Sequence, residues 1–138
     1  MKQTIIAVIC FLCVSSLYIQ AQKINHPSLL YTPQRIQQVK QRMQHEPKLQ
    51  EAWGDIKKTA DEALQKKDFN RLDYLSLAYL MTDNKEYADV IKEILLKAVE
   101  AESWGDVEMM ARIPAWRSQL GMAHKSFLSA VGYDAAYN

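Results

Sequence analysis

The sequence predicts an all-α fold, on three grounds. Only four glycines and four prolines occur among 138 residues, so chain breakers are scarce. Strong helix formers (Ala, Leu, Glu, Gln, Lys and Met) dominate the middle of the chain. Apolar residues return at helical intervals, and no stretch sustains the period-two alternation of a half-buried strand. The expected organisation is a succession of short amphipathic helices joined by short loops, with no low-complexity linker and no exact repeat.

Residues 1–21 form the first element and read as a secretory signal peptide. Lys2 gives a positive start, residues 5–14 are almost unbroken apolar side chains, and Ala21 stands before Gln22 as a small residue at a cleavage point. The apolar run is too short for a permanent membrane helix, so no stable membrane anchor is expected, and the remainder is expected to be exported to a periplasmic or extracellular space. Both cysteines, Cys10 and Cys13, lie inside this leader, so residues 22–138 carry no disulfide framework. The leader also takes one of the 17 basic residues with it, leaving a balance with the 16 acidic ones. A neutral balance argues against nucleic acid or an anionic membrane as a partner held by a whole-domain field.

The helices follow in order. A polar lead to Asn25 gives way to an irregular arm at His26-Pro27, and Thr32-Pro33 reads as an N-cap with proline at the first helical position. Ile36, Val39 and Met43 then mark an apolar stripe that Pro47 interrupts. Leu49, Ala52, Trp53, Ile56, Ala60, Ala63 and Leu64 predict a second helix over 48–65. Gly54 within it marks either a close helix approach or a tolerated surface position. Asp68-Phe69-Asn70 separates this helix from a third, whose broad apolar face (Leu72, Leu75, Leu77, Ala78, Tyr79, Met81) predicts an inner, well-covered position. Thr82-Asp83-Asn84 reads as a polar turn before a longer helix with Tyr87, Ala88, Ile91, Ile94, Leu95, Ala98 and Val99, completing a helical hairpin. Trp104-Gly105 and Ile113-Pro114 interrupt any simple helix over 103–116. A last helix is expected over 118–131 with Leu120, Ala123, Phe127, Leu128 and Val131 inward. Residues 132–138 then form a terminus whose two tyrosines lack local partners.

The ordered set His26-Pro27-Ser28-Leu29-Leu30-Tyr31-Thr32, Trp53, residues 74–82, Tyr87-Ala88, Trp104 and Gly132-Tyr133-Asp134 resembles the start of secreted heparinase II/III-like polysaccharide lyases and their alginate-lyase relatives. Order and spacing after a leader carry the resemblance, which runs from His26 to Asn138. It implies that residues 22–138 are the opening hairpins of an incomplete (α/α) toroid, with later toroid and β-sandwich regions absent from this chain. It also implies β-elimination on an acidic, uronate-containing polysaccharide. The groups that neutralise the uronate and move protons would then lie beyond Asn138, so no catalytic residue is assigned and the chain alone is expected to be an inactive fragment of marginal stability. A noncatalytic helical glycan-binding or scaffold module, or part of a helical glycoside hydrolase, would share these features.

The residues themselves offer limited chemistry. His26, His45 and His124 fit no close metal-ligand spacing, no metal site is expected, and no cofactor is called for here; a structural metal would belong to the absent region. His26 reads as part of the lead-in arm and His45 as a helix-end residue. His124, on the polar side of the last helix near Arg117 and Lys125, reads as either a ligand contact or a surface residue. Glu102, Asp106 and Glu108 read as a solvated acidic loop. Substrate contact is placed on Trp104, Arg112, Trp116 and Arg117, with His124 beside them. An aromatic face covers the apolar face of a sugar, and arginine pairs with a carboxylate or sulfate through forked donors. The competing reading is that both tryptophans seal gaps between hairpins while the arginines stay in water.

Overall fold

Thr32 and Pro33 open the first helix as their chemistry predicts. The Thr32 hydroxyl accepts the Arg35 N–H at 3.4 Å, and Pro33 occupies a position where a missing N–H costs nothing. The computed structural model describes residues 26–101, 103–105, 111 and 120–137. Within them lie helices α1 (Pro33–Met43), α2 (Pro47–Lys66), α3 (Leu72–Thr82), α4 (Lys85–Val99) and α5 (Leu120–Ala136), a 3₁₀ turn at Phe69–Arg71, and no strand. The leader at residues 1–21, the acidic residues Glu102, Asp106 and Glu108, and the candidates Arg112, Trp116 and Arg117 lie outside the described residues, as does the expected start of the last helix at Ser118.

Local chemistry explains each boundary. Pro47 does more than interrupt a pattern: it is the first residue of α2, and the Gln50 side chain reaches back to the Met43 carbonyl at 2.6 Å, satisfying an acceptor at the end of α1. Helix α2 stops at Lys67, whose φ of 51° is left-handed and whose N–H returns to the Ala63 carbonyl. Asp68 then caps the 3₁₀ turn by accepting the Asn70 N–H at 3.0 Å. The α3–α4 connection repeats the device, with left-handed Asp83 (φ 57°) closing α3 and the Asn84 side chain accepting the Glu86 N–H at 3.1 Å to start α4.

Helix α3 is apolar nearly all round and is the buried centre of the fold. It packs against α5, α2 and α4, and touches α1. Leu72, Leu75 and Ala78 are fully buried on it. Ser76 is equally buried but is satisfied, donating to the Leu72 carbonyl at 2.6 Å. Ala60 and Ala63 from α2, Tyr87, Ala88, Ile91 and Ile94 from α4, and Leu128 and Ala136 from α5 complete this core. Each fully buried leucine or isoleucine contributes about 1.5–3 kcal/mol relative to an exposed one.

The last helix corrects the sequence reading in two respects. It continues through Ala136, and its buried face is Leu128, Val131, Gly132, Asp134, Ala135 and Ala136. Leu120 (88% exposed), Phe127 (52% exposed) and Ala123 face outward instead. Gly132 lies on the buried side at the crossing: a Cβ there would lie 3.3 Å from Ile91 Cγ2 and 3.3 Å from Leu72 Cδ2, a tight approach that glycine makes without displacing either side chain. Tyr133 and Tyr137 remain about half exposed and pack edge to face with each other, ring centroids 5.4 Å apart.

The two helical glycines should therefore respond oppositely to the same substitution. Nothing lies within 4 Å of a Cβ built at Gly54, so Gly54→Ala should stabilise by up to about 1 kcal/mol through helix propensity alone. Gly132→Ala must push on two fully buried side chains and should lose about 1 kcal/mol net, because overpacking outweighs the propensity gain. Chemical unfolding of both variants beside the parent checks this, and equal stabilisation by both would refute the assigned crossing.

Candidate functional site

Two chain breaks build a groove on one side of the core. The 3₁₀ turn after α2 projects Phe69 and Asn70, and the segment following α4 returns with Ser103 and Trp104. Trp104 is oriented by its indole N–H, which donates to the Ala98 carbonyl at 2.8 Å and so satisfies an acceptor in the last turn of α4. Its ring meets Phe69 edge to face, centroids 6.4 Å apart. From α5, the Lys125 ammonium donates to the Trp104 carbonyl at 3.1 Å. These side chains enclose an open hollow of about 240 Å³, apolar along its walls with a cation, an amide and a hydroxyl at its edges.

A second hollow of about 250 Å³ adjoins the first, sharing Phe69 and Ala98 as its wall. Lys67, Glu93 and Lys97 border it. Lys67 pairs with Glu93 at 2.7 Å, and this hydrogen bond holds the Glu93 carboxyl below the usual glutamate range, with the Lys97 charge adding to the effect. Glu93 is therefore a fixed anion and acceptor at working pH and is poorly suited to donate a proton. Lys97 makes no hydrogen bond or ion pair with another described residue at hydrogen-bonding distance.

The structure places Trp104, expected as a sugar-contact residue, on the groove wall. His124 is on the exposed side of α5, and its neighbour Lys125 is the residue that reaches the groove. The structure thus brings Trp104 together with Lys125 but not with His124. Sequence reasoning missed Phe69, Asn70, Lys67, Lys97 and Lys125 as a set. Asp68-Phe69-Asn70 was legible only as a helix separator, although an aromatic in a tight turn is itself a signal of an interaction outside the local chain.

A second polar cluster ties the two ends of the described chain. The buried Asp134 carboxylate of α5 accepts the backbone N–H groups of Ser28 and Leu29, each at 2.8 Å, the Ser28 hydroxyl at 3.3 Å and His26 Nδ1 at 2.6 Å. Successive N–H groups aimed at one carboxylate form an anion cradle. Burial, the largest single influence, pushes the Asp134 carboxyl up. The donors from Leu29, His26 and Ser28 together outweigh it and hold the group below the ordinary aspartate value. Tyr137 stacks on His26 with centroids 4.1 Å apart. The arrangement is structural: it fixes the lead-in arm across α5.

Other polar groups bridge helices without an adjoining site. Tyr87 from α4 donates to Asp61 of α2, which also pairs with Lys57 at 2.8 Å. Burial and Asp61 raise the Tyr87 phenol, while the bonds from Lys57 and Tyr87 lower Asp61. Burial, with the nearby Asp73 charge, pushes the Tyr31 phenol up to about 12, so it stays protonated where its hydroxyl points to the Asp73 carbonyl. Among the described residues no three His, Cys, Asp or Glu side chains converge as a metal site, and no helix is long and apolar enough to cross a membrane. Comparison with protein families, with characterised proteins and with solved structures returns no match to this chain.

The Asp134 cradle generates a signed pH dependence. Its folded-state pKa lies below the ordinary aspartate value, so its stabilisation is complete above that ordinary value and is lost as pH falls through the lowered one. Asp134→Asn keeps the shape but replaces one acceptor by a donor, and should cost about 2 kcal/mol near neutral pH. Urea unfolding across acidic pH should show the gap between parent and variant narrowing as the parent protonates. A gap that stays constant to strongly acidic pH would remove Asp134 from this role.

Proposed function

We propose that this chain is the helical opening of an exported polysaccharide lyase acting on an acidic, uronate-containing glycan, with the paired helices forming the first part of an incomplete (α/α) toroid. The observation that carries the reading is the groove: an aromatic wall of Phe69 and Trp104 suits the apolar face of a sugar ring, and Lys125 and Lys97 suit its carboxylate. The ordered resemblance from His26 to Asp134 supports it independently of that chemistry. So does the strip of exposed Leu96, Val99, Tyr133 and Tyr137 on α4 and α5, where a further hairpin would seat in such an architecture.

Elimination removes the proton beside the uronate carboxylate. The released electron pair forms a ring double bond, the bond to the glycosidic oxygen on the next carbon breaks, and that oxygen takes a proton as it leaves. The residues described here bind and orient in this scheme; proton transfer is assigned to the downstream part of the parent. A noncatalytic glycan-binding module is the second reading. The observation favouring it is that Glu93, the carboxylate among the described residues bordering the groove, is committed to Lys67.

Incubating the intact parent with a panel of uronate-containing glycans should yield products with the ultraviolet absorbance of a conjugated enoate, while the 138-residue chain yields none. Saturated ends from the parent would identify a hydrolase instead. Binding by the parent with no product across the panel would leave the noncatalytic module as the correct reading.

A further inference from the structure

The groove's two hollows are joined at a shared wall, and the described residues that line each sum to one positive charge. In the first, Lys125 stands beside the Trp104 and Phe69 rings. In the second, Glu93 pairs with Lys67 at 2.7 Å and also feels the Lys97 charge, so two cations face one anion among the described lining residues. Phe69 and Ala98 lie between them as an apolar divider. One positive charge, an apolar ridge and a second positive charge along an open groove follow the order of charge in a chain whose two consecutive rings each bear one anion.

We infer that the groove is a two-subsite platform for two consecutive uronate units, Lys125 taking the carboxylate of one and Lys97 that of the next. The inference rests on the acidic-glycan reading above and goes beyond it in fixing the number of units bound and the lysine that reads each. The ring in the first hollow lies against Trp104, whose orientation is set by its bond to Ala98. The ring in the second lies against Phe69 and the α4 side chains, with the Glu93 carboxylate as acceptor for a sugar hydroxyl. Because Glu93 is already paired, it discriminates by accepting hydroxyl protons without adding an unbalanced negative charge next to the incoming carboxylate. Lys97 is exposed and Lys125 half-buried, so the attraction falls with added salt, more at Lys97 than at Lys125.

The test is a titration of the full chain, followed by tryptophan fluorescence at low salt, with glucuronate and mannuronate oligomers of one to four units and with matching neutral oligosaccharides. Two units should bind at least about tenfold more tightly than one, a difference of about 1.4 kcal/mol, with little further gain at three or four. Lys97→Gln should reduce two-unit binding to the one-unit level while leaving one-unit binding unchanged. Lys125→Gln should weaken both, and Lys57→Gln, on α2 away from the groove, should change neither. Circular dichroism of each variant verifies that the helices persist. One-unit binding with no gain at two units, or equal effects of Lys97→Gln and Lys57→Gln, would overturn the two-subsite platform while leaving the acidic-glycan reading intact. Binding of neutral and acidic oligomers alike, or of neither, would overturn both.

Discussion

The constraint on which the rest depends is that α3 has no polar side to give to water. A helix whose Leu72, Leu75, Ser76 and Ala78 are all buried must be covered from several directions, and α2, α4 and α5 supply that cover. Small residues decide how closely they come. Ala60 and Ala63 of α2 and Ala78 of α3 are buried in the shared core, and Gly132 admits α5 against Leu72 and Ile91. The polar devices at the helix ends then fix where each covering helix starts, so that packing and capping specify the same arrangement.

What was legible in the sequence was what is local. The Thr32-Pro33 start, the Asp83-Asn84 connection and the inner position of the third helix all follow from residues within a few positions of one another. The last helix runs further than its periodicity suggests, and only part of its inward side was legible: Leu128 and Val131 are buried as expected, Leu120, Ala123 and Phe127 are not, and the close approach of Gly132 to Leu72 and Ile91 is a long-range contact. A glycine-tyrosine-aspartate sequence near a terminus looks like a frayed end until the partner of the aspartate is known. That partner is an arm more than a hundred residues earlier, at Ser28 and Leu29. The groove was partly legible for the same reason. Trp104 stood out by type and context, whereas Phe69, Lys97 and Lys125 acquire a shared role only when a turn and two helices meet.

The groove also illustrates how pairing, rather than the number of charged residues, sets the character of a surface. Among the described residues three lysines and a glutamate border it, and the Lys67–Glu93 pair removes one charge of each sign from their balance. Lys97 and Lys125 then stand on either side of the apolar Phe69 and Ala98. Such exposed pairs add little to folding stability. Their influence here is on the field in the groove and on keeping Glu93 ionised.

The Asp134 cradle carries a consequence for the order in which the molecule assembles. Its hydrogen bonds span sequence separations of 105 to 108 residues, whereas the α3–α4 hairpin is closed by neighbours in the chain. Loop closure over such a separation loses more chain entropy than any hairpin does, and it is recovered only once α5 is seated on α3. The lead-in arm therefore docks last, onto helices already assembled. During synthesis the arm emerges more than a hundred residues before its anchor, so a segment made early is held in place only when Asp134 follows.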